Sequence, residues 1–352
     1  MPSFPASADA ITPAFLSEVL GASVTSCAAE SIGAGLVGDS ARISIRYMEA
    51  EGGPSTIAGK FPAADETSRA TAASMQLYEK EVGFYREIAP HIAMRTPEIY
   101  FVEHDGDSGD FLLLMEDCGP AAQGDQMTSC TLEQAQTAVS ELAALHSATF
   151  EQARFLELPF LKPNAQVRAF AAAGYPGASE GFLEFYKGKV ATELLEYIGQ
   201  LGSLSPALFT SDVPTGPCVV HGDFRLDNML FDINGGSEPM VTLDWQTIAL
   251  GDPLTDLGYF MGAGIGSALR RPNEADLLER YRTELVKHGG PDLGDIRNAD
   301  GYARGALHGI STAVFSAAFV EHNDRSEAIF QSMAVGAAEL AVELDAIRVL
   351  KG

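Results

Sequence analysis

The segment Val219-Val220-His221-Gly222-Asp223-Phe224-Arg225-Leu226-Asp227-Asn228 places an aspartate, an arginine and an asparagine within six residues. Sixteen positions beyond Asn228, the run Met240-Val241-Thr242-Leu243 ends on a second carboxylate, Asp244. Asp223 is then available to orient a hydroxyl and take its proton, while Asn228 and Asp244 offer the oxygen donors that a hard cation accepts. Phosphoryl transfer from a magnesium nucleotide needs that combination. Arg225 is close enough in sequence to reach the transferring group and offset its charge. Either half alone reads equally well as a capped turn or as a strand running into a polar loop; their coincidence at fixed spacing points to chemistry.

Two short strands must bring these groups together. Val219 and Val220 form a buried approach. The residues from Asn228 to Ile233 favour a strand, Asn234-Gly235-Gly236 is a turn signal, and Met240 to Leu243 returns. Such a hairpin carries Asp244 back beside Asn228 and leaves Asp223 on the loop before it. His221 reads as a hydrogen-bonding structural residue, and Asp227 as loop polarity or a local backbone acceptor.

These residues resemble the catalytic loop and the metal-binding aspartate of the protein-kinase-like superfamily, in its aminoglycoside phosphotransferase and choline kinase branch, with similarity also to ecdysteroid kinase-like proteins. The resemblance implies an α+β, bilobal fold: an N-terminal antiparallel sheet with one main helix, and a larger, mostly helical C-terminal lobe. It implies Asp223 as the catalytic aspartate, Arg225 as a phosphate-contacting cation, Asn228 and Asp244 as Mg2+ ligands, and ATP as donor with GTP as an alternative. Trp245-Gln246 departs from the Phe-Gly of protein kinases. In Gly251-Asp252-Pro253-Leu254-Thr255-Asp256, the later aspartate matches the one that braces the catalytic-loop backbone in the family.

The N-terminal third offers a nucleotide clamp. Gly33-Ala34-Gly35-Leu36-Val37-Gly38 fits GxGxxG, and the alternating residues Ala41 to Tyr47 follow it as a strand, whereas a dinucleotide-binding unit would continue into a helix. Ser55 to Phe61 reads as a strand bearing Lys60. The pattern from Thr71 to Ala89 reads as one helix with Leu77, Glu81, Phe84 or Tyr85, and Ile88 on a single face. A carboxylate on a buried stripe requires a partner. Lys60 with Glu81 therefore matches the pair that fixes the α- and β-phosphates in the superfamily, with Glu79 and Glu87 as alternatives for the acid.

Thr96–Glu103 and Phe111–Asp117 read as a hairpin around Asp105-Gly106-Asp107-Ser108-Gly109. The resemblance makes Met115, Glu116, Asp117 and Cys118 the connector whose backbone receives the base. It divides the chain into a nucleotide-clamping lobe, residues 1–117, and a catalytic and substrate-binding lobe, residues 118–352. Beyond that, Thr131 caps a helix to Ala148 with a stripe of Leu132, Ala135, Val139, Leu142 and Leu145 that His146 ends; the resemblance implies that His146 packs beside the catalytic loop. The aromatic-rich region 151–215 and the helix carrying His308 to Phe319 are implied as walls of the acceptor pocket.

Composition agrees. A chain of 352 residues, 46% hydrophobic, has ample material for a large core. Cys27, Cys118, Cys130 and Cys218 lack metal or disulfide spacing, and no run approaches the ~20 apolar residues that span a bilayer, so a cytoplasmic protein is expected. Net charge of −25, from 48 acidic and 23 basic residues, disfavours nucleic acid and anionic membranes as partners and fits a cationic small-molecule alcohol as acceptor. Two further readings stand beside the kinase: a catalytically silent kinase fold that binds a nucleotide or a partner, and a metal-dependent phosphohydrolase. The second needs paired histidine and carboxylate motifs, while the seven histidines here stand apart.

Overall fold

The computed structural model describes residues 4–32, 38–49, 52–162, 164–209 and 214–351. Five strands make one antiparallel sheet: β1 (Val24–Ser31), β2 (Gly38–Tyr47), β3 (Thr56–Pro62), β4 (Ile99–Asp105) and β5 (Asp110–Glu116), in the order β1-β2-β3-β5-β4. Alternation divides the sheet into two faces. Ile43, Ile45, Ile57, Phe61, Leu112 and Leu114 pack on one side with Leu16 of the short helix α1 (Pro13–Leu20). Leu113 and Met115 point to the other side and join the main core. Lys60 lies between Gly59 and Phe61 of β3, so it belongs to the face opposite them.

The expected helix from Thr71 to Ala89 is two pieces and a tail. α2 (Glu66–Ser74) starts earlier, capped by Asp65, and α3 (Leu77–Gly83) runs into a π turn over Phe84–Ile88. Between them Gln76 adopts a left-handed conformation, φ 58°. The cause is phasing. Ala72 and Leu77 are both buried, yet on one continuous helix they would lie about 140° apart. The break resets the rotation, and Leu77, Tyr78, Glu81, Val82, Phe84, Tyr85 and Ile88 all become buried. Tyr78 stacks on Phe111 with ring centroids 4.3 Å apart.

After Glu116 the chain becomes mostly helical. α4 (Leu132–Thr149) opens on a reciprocal Thr131–Gln134 capping box and buries Ala135, Val139, Leu142 and Leu145. Leu132, expected on that stripe, sits in the exposed first turn. α5 (Ala165–Tyr186) and α6 (Thr192–Ser203) carry the aromatic region; Tyr175, Phe182 and Tyr186 are buried as core. α7 (Pro253–Tyr259), α8 (Ser267–Lys287), α9 (Asp300–Phe319) and α10 (Asp324–Glu343) complete the packing. α7 and α9 touch backbone to backbone: a Cβ on Gly258 would lie 2.4 Å from the Tyr302 carbonyl oxygen, and one on Gly305 would lie 2.5 Å from that of Thr255.

Two small strand sets carry the segments expected to hold the reacting groups. β7 (Cys218–Val220) pairs with β10 (Ala249–Gly251). β8 (Met229–Asp232) and β9 (Glu238–Thr242) form the expected hairpin, and β6 (Ala122–Gln123) flanks it. Positive φ at Asp232, Asn234, Gly235 and Gly236 closes its turn. The fold is α+β, with an antiparallel sheet in the N-terminal part and a mostly helical C-terminal part.

Candidate active site

Val219 and Val220 anchor the loop that follows them. Gly222 must turn sharply there: its φ is +81°, and a Cβ would lie 2.7 Å from the Thr247 carbonyl oxygen. Only glycine meets both conditions without strain. Asp256, on α7, is fully buried and accepts the backbone N–H groups of His221 (2.6 Å) and Gly222 (2.9 Å). His146 Nε2 lies 3.3 Å from the same carboxylate, and Nδ1 lies 2.7 Å from the Tyr281 hydroxyl. A carboxylate only accepts, so Nε2 carries the proton and Nδ1 receives the tyrosine hydroxyl. Burial alone would raise the Asp256 carboxyl, but His146, His221 and the Gly222 amide outweigh it and hold it below its ordinary value.

His221 is likewise structural in geometry. Its Nε2 donates to the Leu243 carbonyl at 3.0 Å, and its Nδ1 accepts the Asp223 amide at 3.2 Å. The imidazole thereby ties the loop bearing Asp223 to the segment that leads from β9 to Asp244. The Asn228 carbonyl accepts the Leu243 amide at 2.8 Å, a second tie between the same segments.

Three donors converge on the Asp223 carboxylate. Tyr259 Oη donates to Oδ1 at 2.6 Å, Asn228 Nδ2 to Oδ2 at 2.9 Å, and Arg225 Nε lies 3.0 Å from Oδ1. Burial pushes this carboxyl up, yet Arg225, Tyr259 and His221 together hold it below its usual value, so it is ionised at neutral pH. Arg225 also grips Asp227 at 2.8 Å, which accepts the Gln126 amide. Asp227 therefore locks the loop rather than merely supplying polarity; its two-residue offset from Arg225 was the available signal. Because Asn228 spends its amide nitrogen on Asp223, its carbonyl oxygen is left as the group able to meet a cation.

Lys60 Nζ lies 2.7 Å from Glu81 Oε2 and 2.9 Å from Asp244 Oδ1. Burial alone would lower its pKa, but Asp244 and Glu81 raise it above the ordinary lysine range, keeping the ammonium charged. Burial pushes Glu81 up, with Lys60 opposing it. Asp244 itself has φ 65°, a conformation that costs a non-glycine residue of order 1 kcal/mol or more. Its other oxygen accepts the Gln246 side-chain amide at 3.2 Å. Trp245 fills the core next to it, stacked on Phe84 at 3.6 Å, which couples Asp244 to the segment bearing Glu81.

Gly38, Lys60, Glu81, Met115, Asp223, Arg225, Asn228 and Asp244 all line one cleft of about 460 Å³. At Gly38 a Cβ would stand 3.1 Å from the Phe61 carbonyl oxygen and 3.7 Å from Lys60 Cε, so the glycine keeps the strand open above the lysine. Gly33 and Gly35 lie outside the described residues. Of the connector, Met115 lines the cleft, while three neighbouring side chains turn elsewhere. Glu116 pairs with Arg95 at 2.8 Å, Asp117 with Arg42 at 2.6 Å, and Cys118 packs on Ile233 and Val241. Their contribution to a base would be through backbone groups alone. Tyr259 and His308 were not foreseen. His308 Nε2 donates to the Gly222 carbonyl at 2.9 Å, again fixing the tautomer.

No set of three histidine, cysteine or acidic side chains among the described residues is arranged to hold a metal. The Asn228 and Asp244 oxygens fit Mg2+ differently, since that ion keeps waters and commonly takes only one or two protein ligands beside nucleotide phosphates.

This cleft between an antiparallel sheet and a helical region defines the protein-kinase-like superfamily. Within it, the chain belongs to the ecdysteroid kinase-like family, whose profile matches residues 33–290. Several solved structures share the fold. A microcompartment-associated aminopropanol kinase is 13% identical, covering 96% of this chain and 99% of its own, with a TM-score of 0.57. Choline kinase from Cryptosporidium parvum is 11% identical over 92% of this chain and 91% of its own, with a TM-score of 0.56. Aminoglycoside 2'-phosphotransferase-IIIa, in its GDP complex, is 16% identical over 90% and 94%, with a TM-score of 0.53. A stretch of 41 residues is 49% identical to acyl-CoA dehydrogenase family member 10 of Mus musculus; it covers 12% of this chain and 4% of that protein.

Proposed function

We propose that the protein is an ATP-dependent phosphotransferase that moves the γ-phosphoryl group to a hydroxyl of a small molecule. The observation that carries this reading is the convergence of Lys60, Glu81, Asp223, Arg225, Asn228 and Asp244 on one cleft. GTP is the alternative donor, and one fold neighbour was solved with bound GDP. Residues 1–117 would clamp the nucleotide, and residues 118–352 would carry the catalytic loop and bind the acceptor. The four cysteines are free thiols and no described helix is long and apolar enough to cross a membrane, which supports a cytoplasmic setting.

In this reading Lys60, held by Glu81, contacts the α- and β-phosphates, and Gly38 lets the backbone close over them. Asn228 and Asp244 would hold Mg2+, which would supply positive charge against the charge developing on the nucleotide phosphates. Asp223 accepts a hydrogen bond from the acceptor hydroxyl and aims its oxygen at the γ-phosphorus; its lowered pKa suits orientation first and proton capture late, as the P–O bond forms. Arg225 stands beside it to offset charge on the transferring group.

The test is a screen of alcohols for acceptor-dependent ADP release in MgATP, repeated with Asp223→Ala. The variant is expected to lose ~10²–10⁴-fold in turnover while binding nucleotide about as well as the wild type. Full activity of the variant on the true acceptor would overturn the role assigned to Asp223.

A further inference from the structure

A second cavity, of about 240 Å³, lies where α3 meets the helical part of the chain, and it shares no described lining residue with the cleft that holds Asp223. Gln76 and Lys80 form one wall, at the break between α2 and α3. Phe160 and Lys162 form another, with Val167 and Arg168 of α5 and Leu250 of β10 beside them. The junction is close: a Cβ on Gly83 of α3 would stand 2.6 Å from Phe160 Cζ. Three of the lining side chains are cationic and none of those described is acidic, in a chain whose net charge is −25.

Two of these cations are unmatched. Neither Lys80 nor Arg168 has an ion-pair partner or a side-chain hydrogen bond among the described residues, and Arg168 Nη1 is buried. Lys162 differs, being exposed and paired with Glu157 at 3.3 Å. Glu79, the acid beside Lys80, accepts the Gln76 side-chain amide at 3.0 Å and does not line the cavity. Burial lowers the Lys80 pKa, and Glu79 opposes that only in part. A half-buried ammonium and guanidinium without counter-charges cost free energy that an anion between them would recover. They stand on different elements and line the same cavity, so a single anion within it can be met from both sides.

We infer that this cavity binds the phosphate group of a small phosphomonoester whose organic part packs on Phe160, Val167 and Leu250. A tetrahedral dianion presents oxygens in several directions, which suits a planar guanidinium on one side and an ammonium on the other. A carboxylate offers a single charge and two oxygens in one plane. The site is apart from the cleft and does not rest on the kinase reading. An anion held there would join Lys80, one residue from Glu81, to the helical part that carries Asp223.

Phenyl phosphate, inorganic phosphate, benzoate and phenol are titrated calorimetrically into the full chain and into Lys80→Met, Arg168→Gln and Arg225→Gln. The last variant removes a cation of the cleft and so reports any phosphate that binds there instead. Phenyl phosphate is expected to bind at least about tenfold more tightly than the other three compounds. Lys80→Met and Arg168→Gln are each expected to weaken it roughly tenfold, and Arg225→Gln to leave it unchanged. Inorganic phosphate binding as tightly as phenyl phosphate would overturn the choice of a monoester, and benzoate doing so would overturn the choice of phosphate. Weakening by Arg225→Gln as great as that by the other two variants would place the ligand in the cleft and overturn the inference. Binding that Lys80→Met and Arg168→Gln both leave intact, or no binding at millimolar phenyl phosphate, would do the same. Both positions are half-buried and Lys80→Met keeps an apolar stem, so each variant is expected to melt like the wild type by circular dichroism; should one unfold, the other decides.

Discussion

The carboxylate of Asp223 is set by three neighbours, two of which come from its own loop and one from a helix 36 residues away. Tyr259 is the distant one, and its hydroxyl opposes the rise that burial imposes. Removing it in Tyr259→Phe is expected to raise the Asp223 pKa. Since catalysis requires the ionised form, the acid limb of the pH dependence of kcat/KM should move to higher pH, with turnover at neutral pH falling by no more than about tenfold. An unmoved limb would show that Tyr259 serves packing alone. At this scale the reacting groups were legible in the sequence because each is a distinct residue type at a fixed offset: Asp223 to Asn228, then Asn228 to Asp244. Tyr259 and His308 were not, since a tyrosine in one apolar helix and a histidine in another carry no local mark of what they face. Asp227 was visible but underread.

Among the elements, α7 does most to hold the loop bearing Asp223, through Asp256 and the close glycine crossing with α9. Replacing that carboxylate in Asp256→Asn sets an amide N–H against backbone donors and leaves His146 without its acceptor, at a cost of about 3 kcal/mol in urea unfolding near pH 7. The pH dependence has a definite sign. The folded pKa of Asp256 lies below its unfolded value, so its stabilisation is complete above roughly pH 4 and fades as pH falls through the lower folded value. The variant should therefore differ most from the wild type at neutral pH and converge toward it in acid; a constant difference across pH would contradict this account. The strand and hairpin pattern was readable from alternation and turn residues. The helix before β4 was readable only as an amphipathic segment, because the re-phasing at Gln76 answers to which side chains the core admits rather than to any local signal.

Over the whole molecule, segments distant in sequence meet at one point: Lys60 and Asp244 are 184 residues apart and joined at 2.9 Å. There one cation lies between two carboxylates, those of Glu81 and Asp244; in the proposed function a divalent ion would balance the remaining negative charge. The α+β plan, with an antiparallel sheet first and a mostly helical part after it, was implied by the resemblance that these motifs carry rather than by composition or periodicity. The segments expected to wall an acceptor pocket, region 151–215 and the helix carrying His308 to Phe319, were named from the resemblance, but no individual residue in them was legible, since aromatic and apolar residues at helical spacing read equally as core, as Tyr175, Phe182 and Tyr186 are.

The most direct test of this convergence is calorimetric titration of ATP, with and without Mg2+, into the wild type, Asp223→Ala and Asp244→Ala. Tight binding that requires magnesium, survives Asp223→Ala and disappears in Asp244→Ala is the predicted result. Binding indifferent to the metal, or unchanged when Asp244 is removed, would contradict the claim that these residues form a single phosphoryl-transfer site.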